Sequence, residues 1–521
     1  MGKACIHQMI LQWTVDSKNR TTVYPSGLAG YTQSSTHDVV ERALRSADDT
    51  GDQIYLGLQI NDDWFIKFAN DGPWLRNEAQ VANAIGEDLW RRYGNHPSLA
   101  GWYLGFEVDN HNETTLVAWN RLAQFYETVG HHLHGLTPGK PVLIAPFFAP
   151  AGGLTAFQFR RMWEHILARS PLDILALQDS VGAGNTTLKQ LPSWFRAVHS
   201  AIRHARPNMQ FWADTETFNL NFQPMSIRSV VQDMGAVKSE VTNYLSFSFN
   251  HYISSQQVNS AYYDTYLDYL TTGAVENIRP STPVEVDVES INSVTLGLSW
   301  RAATDNEGVV GYKILRDGLV VARLYGNPRS FTDQQLNPGT TYSYHLVAFD
   351  AAGNESLRST AATAKTPPDP YKTNLANHKP YTTILAADPA YPDTGGLELT
   401  DGILGAPNFT VPAWQGRNTP SAYSFLIDLG GEQSIKEIRS GWLQVQSAGI
   451  LLPLQVSYAV SGDARTFHHV GTVNQPFIDS SDQVRWNTLT DLRGVSARYV
   501  RVEVTPSSSV WTFVDEVEVR Q

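Results

Sequence analysis

Gly101-Trp102-Tyr103-Leu104-Gly105-Phe106-Glu107-Val108-Asp109-Asn110 is the stretch that decides how the first half of this chain folds. It is a short apolar run of strand type that closes on carboxylates, too short to bury a helix. Six similar runs accompany it, at 6–13, 53–60, 142–148, 174–179, 210–216 and 244–250. Between them lie stretches of helical period, at 37–44, 114–133, 157–168, 188–205 and 226–237. Alternating strand and helix at this spacing means repeated βα units, whose natural closure is a parallel α/β barrel. Residues 1–275 are therefore expected to form a (β/α)8-type barrel. Seven strands are visible where such a barrel has eight, and the first begins too near Met1 for another unit to precede it. The expectation is either that the first βα unit lies outside this chain or that the barrel is seven-stranded and distorted.

From Arg279 to Thr366 the helical period gives way to short alternating strands parted by turns such as Arg316-Asp317-Gly318 and Asn337-Pro338-Gly339, which predicts a β-sandwich. Trp300, Val310-Gly311-Tyr312-Lys313-Ile314, Leu336-Asn337-Pro338-Gly339-Thr340-Thr341-Tyr342 and Ala348-Phe349-Asp350 make residues 279–366 resemble a fibronectin type III module. Such a module implies a spacer. Thr366-Pro367-Pro368-Asp369-Pro370 is a stiff linker, and residues 372–521 after it are all β by pattern. That last region resembles the discoidin or coagulation-factor type C family through Leu399-Thr400-Asp401-Gly402, Trp414-Gln415-Gly416, Arg498-Tyr499-Val500-Arg501-Val502 and Val514-Asp515-Glu516-Val517-Glu518-Val519. The resemblance implies a jelly-roll, galactose-binding-like carbohydrate module.

Composition narrows the chemistry. The 521 residues carry 39 Lys+Arg against 51 Asp+Glu, a net charge of -12 that repels phosphate backbones and anionic bilayers, so nucleic acid is not an expected partner. Aromatic residues reach 11%, a profile suited to neutral, ring-shaped ligands. Cys5 is the only cysteine, which rules out an intrachain disulfide and a thiolate zinc site. No apolar window is long enough to cross a membrane. There is no GxSxG elbow, no GxGxxG after a strand and no phosphate-binding GxxxxGK[ST], and His131, His132 and His134 lack the spacing of a helical zinc pair.

In α/β barrels the site is built at the C-terminal ends of the strands, where an ionisable residue closing an apolar strand draws attention. Glu107 and Glu216 both do this. Glycosidic cleavage needs one carboxylic acid to protonate the departing oxygen and one carboxylate to attack or to activate water, and these two glutamates supply such a pair. With the first unit counted as missing, the arrangement resembles the large clan A of retaining barrel glycosidases, which implies Glu107 as acid/base and Glu216 as nucleophile. The residue before the first glutamate departs from that clan, being Phe106 rather than Asn. The first domain also resembles a bacterial domain-of-unknown-function family with a glycosidase-like barrel, through Met9-Ile10-Leu11-Gln12-Trp13, Gly105-Phe106-Glu107-Val108-Asp109, Leu177-Gln178-Asp179 and Thr215-Glu216-Thr217-Phe218.

Asp179 and Asp214 are alternative acids, and Asp109 alternates onto the face of Glu107. Trp13, Trp212, Trp64, Trp74 and Tyr252 lie near strand ends or loops and are candidates for stacking on sugar rings, with Asp109 and Asp179 as further substrate contacts. In the last region Trp414, Arg417 and Trp511 are the sugar-binding candidates. The family resemblance implies a structural calcium ion there, held by Asp393, Thr400, Asp401 and Glu516, with no cofactor for catalysis. The sequence therefore points to a glycoside hydrolase acting on a polysaccharide or oligosaccharide, monomeric and secreted, its leader absent from this chain. A non-catalytic glycan-binding protein and a polysaccharide lyase are the alternatives.

Overall fold

A computed structural model describes residues 8–11, 14–393, 395–445, 448–474, 482–507 and 511–521. It divides into two compact units, one running to Ile278 together with Ala351–Asn354, the other comprising Arg279–Asp350 and Glu355–Gln521.

The first unit is built on seven parallel strands that pair in chain order. They are β1 (Gln8–Leu11), β2 (Gln53–Gly57), β3 (Leu99–Leu104), β4 (Val142–Ile144), β5 (Ile174–Gln178), β6 (Gln210–Glu216) and β7 (Asn243–Phe247). Helices α1 (Val39–Thr50), α2 (Gly72–Tyr93), α3 (Leu116–Leu136), α4 (Ala156–Leu167), α5 (Leu191–Ala205) and α6 (Ile227–Val237) alternate with them, and α7 (Ser260–Thr272) follows β7. The helices start where the sequence supplies caps: Thr115 and Ser226 each accept a backbone N–H of the first turn, and Thr155 with Gln158 forms a capping box. Among the described residues the sheet has seven strands rather than eight, so the architecture is barrel-like without the full (β/α)8 ring.

Strand alternation sorts two cores. Tyr55, Tyr103, Leu143, Ile174, Ala176 and Trp212 form one cluster inside the curved sheet, while Leu56, Leu104, Ile144, Leu175, Leu177 and Ala213 face the helices. Gly101 permits the inner packing, because a Cβ there would lie 2.5 Å from the Pro141 carbonyl oxygen and 2.7 Å from the Tyr55 ring. No described helix is long and apolar enough to cross a membrane.

Three local expectations are corrected. Strand β3 ends at Leu104, so Glu107 sits three residues beyond it in a loop and alternation does not relate it to Asp109. Trp64 and Trp74 do not stand in open loops: Trp64 begins a four-residue helix, Trp64–Lys67, and Trp74 lies in the first turn of α2, a helix started by the Asp71 cap and Pro73. Phe106 stacks on Trp64 with centroids 5.0 Å apart and planes 4° apart, with Trp74 and Phe125 beside it. This apolar stack is the structural reason that a phenylalanine precedes Glu107.

In the second unit, Trp300 and Tyr312 pack at 5.4 Å in the core of the first sandwich, formed by a three-stranded and a four-stranded sheet. The last region pairs a five-stranded with a four-stranded sheet around Phe425, Ile438, Trp442 and Val517. The two sandwiches touch through Gln335, whose amide bonds both backbone groups of Thr488, accepting from its N–H at 2.6 Å.

Phe106→Ala is expected to destabilise the first unit by about 3–5 kcal/mol, the range for deleting a buried ring. The check is a urea titration followed by tryptophan fluorescence; a midpoint unmoved from wild type would show that the stack does not hold this loop.

Candidate active site

Trp212 lies inside the sheet, so by the period of two Asp214 and Glu216 point the same way along β6, with Glu216 at its C-terminal end. On β5 the same rule aligns Ile174 and Ala176 with Gln178, whose side-chain amide donates to Glu107 Oε1 at 3.0 Å and to the Ala145 carbonyl at 2.9 Å. Gln178 thereby fixes the Glu107 carboxyl over the inner face. Trp64 supports the same residue from behind, its indole N–H donating to the Glu107 carbonyl at 2.9 Å.

Burial dominates the electrostatics. Glu216, 4% exposed, is pushed up to about 7 by desolvation, with a smaller push from Glu107, against two backbone N–H groups that favour its charged form. One of these, from Ala183, reaches Oε2 at 2.7 Å; the other comes from Gly182. Asp214 is likewise pushed up to about 7 by desolvation and by Glu216 and Glu107. Glu107 is raised by burial and by Asp109, while the Gln178 amide opposes the shift. Asp233 on α6, pushed up to about 7, and the fully buried Asp179 feel Glu216 as well. No Lys, Arg or His is among the groups that act on Glu107, Asp214, Glu216, Asp179 or Asp233. The result is a set of coupled carboxyls, each with its proton affinity raised, and no cation among the described residues acts on them. Such a set can deliver a proton from one carboxyl while another acts as base or nucleophile.

The remaining expected residues separate into groups. Asp109 is buried and turns the loop, accepting from the N–H groups of His111 and Asn112, so it is not placed to touch substrate. Asp179 is 1% exposed and accepts from the Val181 N–H, again out of reach of a ligand. Trp64 and Trp212, at 1% and 2% exposed, are core rather than stacking platforms. Trp74 is half-buried against Trp64 and Phe106. Trp13 lies outside the described residues. Tyr252 is half-buried and packs on Phe218 at 5.3 Å, beside the exposed Phe222, which stacks on Phe218 at 5.6 Å and 7°. Phe247 stands opposite Glu216 in the β6–β7 register and completes an aromatic border that the sequence reading missed. Two aromatics flanking a strand-end glutamate in Thr217-Phe218 and Ser246-Phe247 were the available signal. Gln178, Gly182 and Ala183 were missed too, because an amide side chain and two backbone groups carry no motif.

In the last region Trp414 and Arg417 are also core. Trp414 donates its indole N–H to the Ala406 carbonyl, and the Arg417 guanidinium lies 5.2 and 4.8 Å from the Tyr423 and Phe425 ring centres while donating to Gln415 and the Leu385 carbonyl. Only Trp511, half-buried against Tyr391 and Phe513, keeps an accessible edge among these three. Of the expected calcium ligands, Asp401 and Glu516 are neighbours: the Gly402 N–H donates to Glu516 Oε2 at 3.0 Å, and burial with Asp401 pushes Glu516 up to about 8. Glu516 Oε1 is buried without a hydrogen-bond partner. Asp393 instead bonds the Tyr381 hydroxyl and the Gly396 N–H, and the Thr400 hydroxyl donates to the Lys379 carbonyl. Among the described residues no group of three or more His, Cys, Asp or Glu side chains is arranged to hold a metal.

Residues 1–260 match the family model described as Domain of unknown function (DUF4434), and residues 281–365 match the Fibronectin type III domain. The chain thus carries a DUF4434 domain followed by a fibronectin type III module. It is 30% identical over 242 residues to a protein named Chitinase C from Streptomyces lividans, covering 46% of this chain and 34% of that one. It is 37% identical over 134 residues to a protein named Alpha-amylase from Niallia circulans, covering 26% of this chain and 10% of the other. The chain therefore spans about a third or less of the length of these relatives. A crystal structure from Bacteroides thetaiotaomicron VPI-5482, of a protein assigned as an alpha-L-fucosidase, aligns at TM-score 0.44 and 21% identity over 52% of this chain and 85% of its own.

The raised Glu216 makes a test that needs no substrate. Its folded-state affinity for protons exceeds that of the unfolded chain, so its contribution to stability is complete below about pH 4.5 and is lost as pH rises through about 7. Glu216→Gln is therefore expected to stabilise the first unit at pH 8 by up to about 3 kcal/mol and to leave it unchanged at pH 4.5. Calorimetric melts across this range decide it; an equal effect at both ends would place Glu216 in an ordinary solvated setting.

Proposed function

We propose that this protein is a glycoside hydrolase acting on a polysaccharide or oligosaccharide, with Glu107 and Glu216 as its two working carboxyls. The observation that carries this reading is the placement of both, coupled and with no cation among the described residues acting on either, at the C-terminal side of the parallel sheet. Glu107 accepts one neutral amide and is raised by burial, which suits a proton donor. Glu216 is gripped by two N–H groups that favour its anion, which suits a nucleophile in a retaining mechanism. Likeness over part of the chain to proteins named chitinases and an alpha-amylase supports a sugar polymer as substrate. A lyase would want Lys, Arg or His beside its base, and none acts on these carboxyls. The aromatic border of Phe218, Phe222, Phe247 and Tyr252 supplies apolar surface for a pyranose face next to Glu216. In this reading the last region is a discoidin-like carbohydrate-binding module, the protein works outside the cell, and it acts as a monomer.

A panel of polysaccharides assayed for new reducing ends identifies the substrate. On that substrate Glu107→Gln and Glu216→Gln are each expected to lower kcat by 10²-fold or more, since isosteric amides keep volume but lose proton transfer and attack. Near-normal turnover in either variant would remove that residue from the mechanism.

For the last region we propose a calcium ion at Asp401 and Glu516, whose buried, unpaired Oε1 offers the hard oxygen such a cation takes. Added calcium is expected to raise the melting temperature of the full chain and EDTA to lower it, with Glu516→Gln abolishing both responses. Identical melts with calcium and with EDTA would rule the ion out.

A further inference from the structure

The turn that follows Asp179 supplies the hydrogen bond that meets the Glu216 carboxylate. Asp179 follows β5 directly, at the rim of the sheet; its Oδ1 accepts the N–H of Val181 at 3.1 Å, while its Oδ2 is buried without a hydrogen-bond partner. The turn that starts at Val181 then sends the Gly182 and Ala183 N–H groups back to the Glu216 carboxylate. Gly182 is the residue that allows so close an approach. A Cβ there would lie 2.2 Å from the Phe218 carbonyl oxygen and 3.0 Å from Glu216 Cβ, so any other side chain must push the turn away from Glu216. Asp179 is 1% exposed and cannot touch a substrate directly.

We infer that Asp179 is a positioning residue, whose carboxylate anchors the start of the turn 181–183 through the Val181 N–H and so keeps the N–H donors of that turn aimed at the Glu216 carboxylate. This rests on the reading of Glu216 as the nucleophile. The groups that face Glu216 from the surrounding elements are Glu107 beyond β3, Asp214 on β6, Asp179 beyond β5 and Asp233 on α6, all acidic. Burial and the Glu107 charge both disfavour the Glu216 anion, and the N–H groups of the turn oppose them. Losing those N–H groups raises the proton affinity of Glu216; keeping them holds it ionised near neutrality.

The test uses the full chain and two readouts. The first is the pH dependence of the melting-temperature difference between each background and the same background carrying Glu216→Gln, which follows the titration of Glu216 without substrate. In Gly182→Ala and in Asp179→Ala this titration is expected to move to higher pH by about one unit, a tenfold change in proton affinity. In Asp179→Asn, which keeps an oxygen to accept the Val181 N–H, it is expected to stay where wild type has it. The second readout is kinetic: the acidic limb of the kcat profile moves up in parallel, with kcat at pH 7 falling by about fivefold to tenfold and KM little changed. An unmoved titration in Gly182→Ala and Asp179→Ala, or the same shift in Asp179→Asn as in Asp179→Ala, overturns the positioning role. A shifted titration in a protein that cleaves no glycan leaves the clasp standing and overturns the hydrolase reading instead.

Discussion

The structure of the first unit depends on one constraint: several carboxyl groups are buried together at the rim of a parallel sheet with no positive side chain among the described residues to balance them. Burying an anion costs more than any single neutral hydrogen bond returns, so each carboxyl must be held partly protonated or be met by dipoles. The chain supplies dipoles. The Gln178 amide meets Glu107, the Gly182 and Ala183 N–H groups meet Glu216, and the Val181 N–H meets Asp179. Backbone dipoles are fixed in place by the strands and turns that carry them, so they need no reorganisation when charge moves between the carboxyls. That is the physical difference between this site and a surface acidic patch.

The same constraint explains where the aromatic residues go. A low-dielectric surround must be built from large apolar bodies, and Trp64, Phe106 and Phe125 wall the loop that carries Glu107 while Tyr55, Tyr103 and Trp212 fill the interior beneath. Most of the tryptophans that composition would assign to ligand stacking are spent in this way. The accessible rings left at the rim are phenylalanine and tyrosine: Phe222 at 70% exposed and Phe247 at 41%, with the half-buried Tyr252 packed on Phe218. The last region repeats the pattern, with Trp414 and Arg417 inside and Trp511 at the edge. The two sandwiches also meet through the Gln335 amide, which bonds an edge-strand residue of its neighbour as another strand would.

The sequence by itself determined the architecture, because hydrophobic period is local: a strand or helix shows its buried face in a dozen residues, and five of the seven barrel strands fall inside the runs read from the chain, with β3 starting two residues early and β7 one. It determined Glu107 and Glu216 as the carboxyls to watch, since an acid that closes an apolar run stands out in one dimension. It also placed the break at Arg279, where the period changes from helical to alternating. Tertiary structure alone decided which aromatics are buried, because Trp64 and Trp74 look like loop residues until a short helix takes in the first and Asp71 and Pro73 start α2 around the second. It alone decided that Asp109 and Asp179 serve the backbone rather than a ligand, and that Gln178, Gly182 and Ala183 hold the two glutamates. Those partners lie 33 to 71 residues away in the chain and act through an amide and two N–H groups. Such groups occur in every sequence, and only folding gives them a direction.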